Sequence, residues 1–257
     1  MDLRQIRVVL RERRLLDVLD LAVRFLVAHA VPYAALSAIV LVPCGVLSLV
    51  IAIHSGWVLG SFAAIALATF AEVPFTILGS RLVFTADAPL ESVLGASLRK
   101  LPRLIAAKLI QSLGVIAGAS AFLLPGIWVA ATTFFLSEVI LLEESSAGAS
   151  FSRAQRLVAG RFGDALMALL LIGGLHALAV WAGDRALASL LNDLLQITPP
   201  PKLGEPGGGV LGLCAFFLAI PFAATARLFA YLDLRTRTEG WDVQVRFAAL
   251  AARTEQP

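Results

Sequence analysis

Four ionisable residues stand inside apolar runs that would not ordinarily carry charge: Glu72 in "ATFAEVPFT", Lys108 in "LIAAKLIQS", Glu138 in "FFLSEVILL" and Arg227 in "AATARLFAY". A lone charge deep in hydrocarbon costs several kcal/mol, so such residues pair with one another, knit helices together or line a passage. Counting about 1.5 Å per helical residue from the charged ends sets Lys108, Glu138 and Arg227 at similar depth, with Glu72 deeper. These four residues are therefore the expected intramembrane polar cluster, with Lys108 facing Glu138 or Glu72 and Arg227 completing it. The plainer reading has Lys108 and Arg227 snorkelling to headgroups and Glu138 at the interface. Glu72 fits that reading least well.

A second group closes the last apolar run, in "YLDLRTRTEG". Asp233 precedes Arg237 by four residues, and Arg235 precedes Glu239 by the same step, so both pairs can close along one helix. Gly240 then fits the stop position, where a left-handed backbone ends a helix. The bland interpretation is a capped helix end anchored among headgroups. The functional one makes Asp233, Arg235, Arg237 and Glu239, with Arg153 and Arg156 of "SFSRAQRL", a docking surface for a partner or a lipid headgroup.

Other chemistry finds little support. His29, His54 and His176 share no helix-neighbour spacing, so no metal site is expected, and His176 reads as an interhelical hydrogen-bond partner. Glu143-Glu144 has Gly148 where a paired-glutamate protease would need an arginine, and no serine faces a histidine convincingly. "GEPGGG" lacks the Lys-Ser or Lys-Thr of a phosphate loop. Cys44 and Cys214 sit inside apolar runs as small hydrophobes. No catalytic residue, metal or cofactor is expected, and the chain is not read as an enzyme.

The elements that must position these residues are set by composition. The chain of 257 residues is 59% hydrophobic and 15% charged, with mean hydropathy +0.86. Soluble domains carry about a quarter charged residues, so the solvent implied is a bilayer. Six runs approach the ~20 apolar residues that cross a ~30 Å hydrocarbon layer: Ala30–Ile53, Trp57–Ser80, Leu104–Leu123, Ile127–Leu142, Asp164–Gly183 and Val210–Tyr231. The fourth is shortest and begins either at Ile127 or within "LLPGIW". Lipid leaves strand edges without partners, so the spans are helices. The fold class expected is all-α, a six-span bundle in a single integral membrane domain: residues 1–29 an amphipathic helix, 30–231 the spans, 232–257 a cytoplasmic tail.

Charge sets the orientation. Nineteen of the 21 lysines and arginines fall on one side of that arrangement; only Arg185 and Lys202 lie opposite. The positive-inside rule puts both termini in the cytoplasm of a bacterial inner membrane. The N-terminal segment is too long and charged to read as a signal peptide. A net charge of +3 invites nucleic acid, but the cations flank apolar spans and are not interleaved with aromatics, so nucleic acid is excluded. "HSGW" and "LPGIW" are short uncharged outer turns. "LRERRLLDVLDLAVRFL", "LESVLGASLRKLPRL" and "SFSRAQRLVAGRF" carry apolar residues at helical spacing. They are expected as three cytoplasmic-side amphipathic helices, apolar side in the interface and arginines toward anionic headgroups. The unit of amphipathic helix, span, turn and span thus recurs three times. The last outer connection, 184–209, is long: "RALASLLNDLLQ" reads as a short amphipathic helix and "ITPPPKLGEPGGG" as a loop.

Two stretches carry a resemblance. "YLDLRTRTEGWD", from Tyr231 to Asp242, resembles the ending of a broad group of bacterial six-helix membrane proteins, in which an aromatic precedes Asp-Leu-Arg, a further Arg, Glu-Gly and Asp. "LPGIWVAATTFFLSEVILLEESSAGASFSRAQRLVAGRF" resembles their Pro-Gly turn, span, acidic span end and following arginine-bearing helix, although Val139 stands where proline is common. The group includes the membrane domain attached to some glycerophosphodiester phosphodiesterases. The resemblance implies the six-helix fold; with fifteen residues after Asp242, no phosphodiesterase domain is expected. The reading that follows is a scaffold or accessory subunit whose basic cytoplasmic face binds anionic membrane lipid or a cytoplasmic or membrane protein. The alternative is a transporter or lipid-handling protein using the polar cluster.

Overall fold

The computed structural model describes residues 14–85, 87–143, 147–205 and 207–240. Arginines 4, 7, 11 and 13, Glu144 and the tail from Trp241 onward lie outside the described residues. The elements are α1 (Leu15–Ala28), α2 (Ala30–Ser55), α3 (Trp57–Phe84), α4 (Leu90–Ala121), α5 (Leu123–Thr132), α6 (Leu136–Leu142), α7 (Ala147–Ala159), α8 (Phe162–Ser189, continued by a π-turn over Leu190–Leu194) and α9 (Val210–Glu239). No strand occurs among the described residues. The fold is all-α.

Six helical stretches are long and apolar enough to cross a membrane: α2, α3, α4, α5 with α6 (Leu123–Leu142), α8 with its π-turn, and α9. This is a multi-pass membrane protein. The fourth span begins within "LLPGIW": the chain turns at extended Phe122, and Pro125 and Gly126 lie inside the first turn of α5. Proline near a helix start removes a donor that would have no partner anyway. Within each expected repeat the two spans differ. The apolar windows of α2, α4 and α8 are only 22%, 11% and 17% buried, whereas those of α3, the fourth span and α9 are 56%, 61% and 67% buried. One span of each pair thus offers its side chains to lipid and the other supplies core.

Two of the expected connections differ. Residues 90–103 are not a separate helix but the first turns of α4, which runs on as the third span past Pro102. "RALASLLNDLLQ" likewise extends α8. Pro102 and Gly183 stand at the two junctions, yet the helix runs through both, because a continuing helix keeps nearly all of its backbone paired. The helices α1 and α7 are distinct, but protein already covers their apolar stripes: Val18, Leu19, Ala22 and Phe25 of α1, and Ala154, Leu157 and Val158 of α7, are buried. The stripe of α7 packs on α4, α5 and α6. Burial against side chains satisfies the same apolar stripe that would otherwise enter the interface.

The described chain forms two compact units. One comprises residues 14–25, 76–170 and 225–240; the other comprises Leu26–Phe75 and Leu171–Ala224. In the first, α4 and α5 form a close hairpin. A Cβ on Gly118 would lie 2.8 Å from the Gly126 amide nitrogen, and one on Gly126 would meet Ala119 at 2.8 Å. Small residues let lipid-embedded helix backbones approach in this way. In the second, the α2–α3 turn at Gly56 has φ 95°, and α2 meets α3 where a Cβ on Gly60 would lie 2.4 Å from that of Ala52. Tyr33 and Phe75 stack at 6.0 Å.

Candidate functional site

The first unit contains a break in a membrane span. Between α5 and α6, Thr133 and Phe135 leave the helical region (φ −109°, ψ 14° and φ −91°, ψ 16°). Leu123 to Thr133 is roughly 15 Å of helix at 1.5 Å per residue, about mid-span. The local sequence explains the break. Thr132 and Thr133 turn their hydroxyls onto the carbonyls of Trp128 and Val129, at 2.8 and 2.6 Å, a habit that bends helices. Two adjacent phenylalanines then pack edge to face at 5.0 Å.

Backbone opened at this depth needs new partners, because lipid supplies none. Gln111 of α4 supplies the first: its Nε2 donates to the Thr133 carbonyl at 2.9 Å and to the Thr133 hydroxyl at 2.8 Å. Arg227 of α9 supplies the second, with Nη2 donating to the Phe134 carbonyl at 3.2 Å. The same nitrogen reaches Glu138 Oε2 at 3.1 Å, and the guanidinium lies over the Phe134 ring at 5.1 Å. Glu138 is 1% exposed and Arg227 8%. One arginine thereby neutralises a buried carboxylate and stitches a broken span to α9.

Of the four-residue cluster expected from sequence, Glu138 and Arg227 are brought together. Lys108 is half-buried in the same unit, and Glu72 is half-buried in the other. In that second unit the charge of Glu72 acts on His176, whose ring stands 4.9 Å from that of Phe216.

A second constellation lies at the charged end of α9. Arg153 of α7 donates to Glu143 through Nε at 2.7 Å and Nη2 at 3.3 Å and also binds Glu239. Tyr231 donates its hydroxyl to Glu143 Oε1 at 2.6 Å. Arg235 pairs with Glu239 at 3.0 Å and lies 4.0 Å from Glu143. Beside them Arg237 pairs with Asp233 at 2.8 Å. Both expected i,i+4 pairs are therefore formed, and Gly240 ends the helix at φ 58° with its amide on the Thr236 carbonyl. Burial pushes the Glu143 carboxyl up. Bonds from Arg153 and Tyr231 and the charges of Arg153 and Arg235 outweigh it and hold the group below the ordinary carboxylate value. The Glu143 bonds push Arg153 above its ordinary value. Arg153, Arg235 and Glu239 are thus engaged in an internal clasp joining α6, α7 and α9, while Arg156 is exposed.

Two hollows of the first unit adjoin these groups. A cleft of about 280 Å³ is lined by Arg14, Asp164, Asp233 and Arg237 at its polar part and by apolar residues including Phe135 of the helix break. Neither Glu138 nor Arg227 lines it. A larger recess of about 760 Å³ is lined by Arg81, Ala96, Arg99, Lys100, Pro102, Arg103 and Ile140. In the second unit, Asp184 is fully buried and accepts the Leu203 amide at 3.1 Å, pinning the outer connection at Leu203. At Gly209 (φ 133°) a Cβ would meet the Trp57 ring at 2.8 Å.

No group of three or more histidine, cysteine, aspartate or glutamate side chains suited to a metal occurs among the described residues. No protein-family model, curated protein or solved structure matches the chain.

Sequence reasoning missed Gln111, Glu143, Tyr231 and Asp184 as structural partners. Gln111 was the most findable: an amide inside "AAKLIQSLGVI" needs a partner as surely as a charge does. Glu143 gave a weaker signal, standing at the end of a span where an exposed carboxylate is unremarkable.

Proposed function

We propose that this protein is a non-enzymatic scaffold or accessory subunit of a bacterial inner membrane. Both termini face the cytoplasm, and its basic cytoplasmic face holds anionic lipid or a partner protein. The observation that carries this reading is the closure of the Arg227–Glu138 pair on the broken span. The strongest intramembrane charges hold the fold together and line no opening of the inner cleft, which suits a framework better than a passage. Cations remain abundant at the charged helix ends, where the positive-inside rule and the surface potential of anionic lipid both act. The resemblance to membrane domains attached to glycerophosphodiester phosphodiesterases belongs to this proposal. It rests on the two sequence stretches, "YLDLRTRTEGWD" and "LPGIWVAATTFFLSEVILLEESSAGASFSRAQRLVAGRF".

The test is crosslinked purification from native membranes, with protein and lipid identified together. A reproducible stoichiometric protein partner is the expected result. Recovery of the chain alone, or with lipid that exchanges during turnover of a labelled substrate, would overturn scaffolding. It would favour the second reading, a lipid-handling or transport protein. That reading draws on the cleft of Arg14, Asp164, Asp233 and Arg237, whose floor reaches Phe135 at the helix break. Such a cleft has polar groups for a headgroup and an apolar floor beside them.

A further inference from the structure

We infer that the recess bounded by Arg81, Arg99, Lys100 and Arg103 is a binding site for the headgroup of a doubly anionic phospholipid, two phosphodiesters joined through one glycerol. The inference rests on the proposed cytoplasmic orientation of the charged helix ends and names the lipid class that this face takes.

Charge comes first. Four cationic side chains line one hollow, and among the described residues lining it none is acidic. By contrast, the cleft near Asp233 mixes two arginines with two aspartates. Like charges gathered around one space repel, and an anion seated among them removes that cost. Arg81 comes from α3, while Arg99, Lys100 and Arg103 occupy little more than one turn of α4. Part of this arrangement is held in place: Arg81 donates to the Ser92 hydroxyl and carbonyl, and Lys100 donates to the Leu141 carbonyl. Arg99 and Arg103 are exposed.

Size and surroundings then select the ligand. A hollow of about 760 Å³ is wide for a single phosphate and suits two phosphates held apart. The site opens at the start of a membrane span. On the face that carries Arg99 and Arg103, α4 continues at steps of three and four with Ala106, Ile110, Leu113 and Ala117, of which Ile110 and Leu113 are 58% and 67% exposed. A headgroup in the recess would let its acyl chains follow that face. A soluble diphosphate would leave it unused. Basic pockets at the cytoplasmic ends of spans are the setting in which such headgroups bind.

The experiment is native mass spectrometry of the full-length protein with diphosphatidylglycerol, phosphatidylglycerol, phosphatidylethanolamine and inorganic pyrophosphate offered separately. One diphosphatidylglycerol per chain should be retained. Arg99→Gln/Arg103→Gln should weaken retention about thirtyfold, the Lys/Lys variant should recover most of it, and the control Lys202→Gln, exposed on the opposite side, should not change it. Equal retention by the Gln/Gln variant would overturn the site. Phosphatidylglycerol or phosphatidylethanolamine held as tightly would overturn the doubly anionic choice, and pyrophosphate held in place of lipid would overturn the lipid source. Failure to recover a protein partner from membranes would sink scaffolding alone and leave these outcomes standing.

Discussion

Gln111 and Thr133 are joined twice across the α4–α5 hairpin, through the threonine carbonyl at 2.9 Å and its hydroxyl at 2.8 Å. At the helix break that carbonyl keeps only the tighter bond from the Leu136 amide, at 3.1 Å, and the glutamine is its second donor. Replacing Gln111 by Leu removes the donor while keeping the volume, so a buried acceptor loses its side-chain partner. Because the Leu136 amide stays on that carbonyl, the expected cost is the net worth of a hydrogen bond, about 0.5–1.5 kcal/mol, read as a lowered midpoint in detergent unfolding of the purified protein. An unchanged midpoint would show that the break is satisfied without α4.

Glu138 and Arg227 make the sharper case. Removing one partner leaves the other buried and uncompensated, at a cost of about 3–5 kcal/mol. Glu138→Gln or Arg227→Gln alone should therefore sharply reduce the folded yield. The double variant Glu138→Leu/Arg227→Met should recover part of it, since neither charge then stays buried. Additive losses in the double variant would argue against coupling.

Glu143 gives a pH dependence with a defined sign. Its carboxyl is held below the ordinary value of 4.5 by Arg153, Tyr231 and Arg235. A depressed carboxylate binds fewer protons folded than unfolded, so its contribution is fully present above that ordinary value and is lost as pH falls through the depressed one. Stability of the wild type should therefore drop below about pH 4.5, more steeply than that of Glu143→Gln. Tyr231→Phe removes one bond to the ionised form and should move the loss to higher pH. Parallel curves for wild type and Glu143→Gln would remove the clasp from the account.

The α2–α3 hairpin depends on close backbone approach. At Gly60 a Cβ would stand 2.4 Å from that of Ala52, and neither backbone can yield as a flexible side-chain tip would. Gly60→Val should cost at least about 1–3 kcal/mol of overpacking, whereas Gly95→Ala, with open space around it, should cost little. Comparing the two in the same unfolding assay separates steric from conformational effects.

Much of the fold was legible because lipid simplifies the problem. Apolar length alone marks six crossings, and "HSGW" and Gly240 stop helices where glycine permits a positive φ. What stayed hidden depends on which faces meet. The stripe Ala154, Leu157 and Val158 reads the same whether protein or headgroups cover it, and the structure buries it in protein. Residues 90–103 look like a separate surface helix because their composition changes at Leu104, yet backbone pairing does not stop where composition does. Arg227 and Glu138 were legible as charges out of place. Their union with the Phe134 carbonyl was not, because nothing in "ATTFFLS" reveals that the span breaks there until the two threonine hydroxyls are seen bonded back onto α5.

Orientation underlies the proposed lipid site and the scaffold reading alike. It is tested most directly with single cysteines at Arg156→Cys and Lys202→Cys, after Cys44 and Cys214 are replaced by alanine. Intact cells are exposed to a maleimide that cannot cross the membrane. Labelling at 202 in intact cells, with labelling at 156 only after permeabilisation, is the result expected; labelling at 156 in intact cells would contradict it.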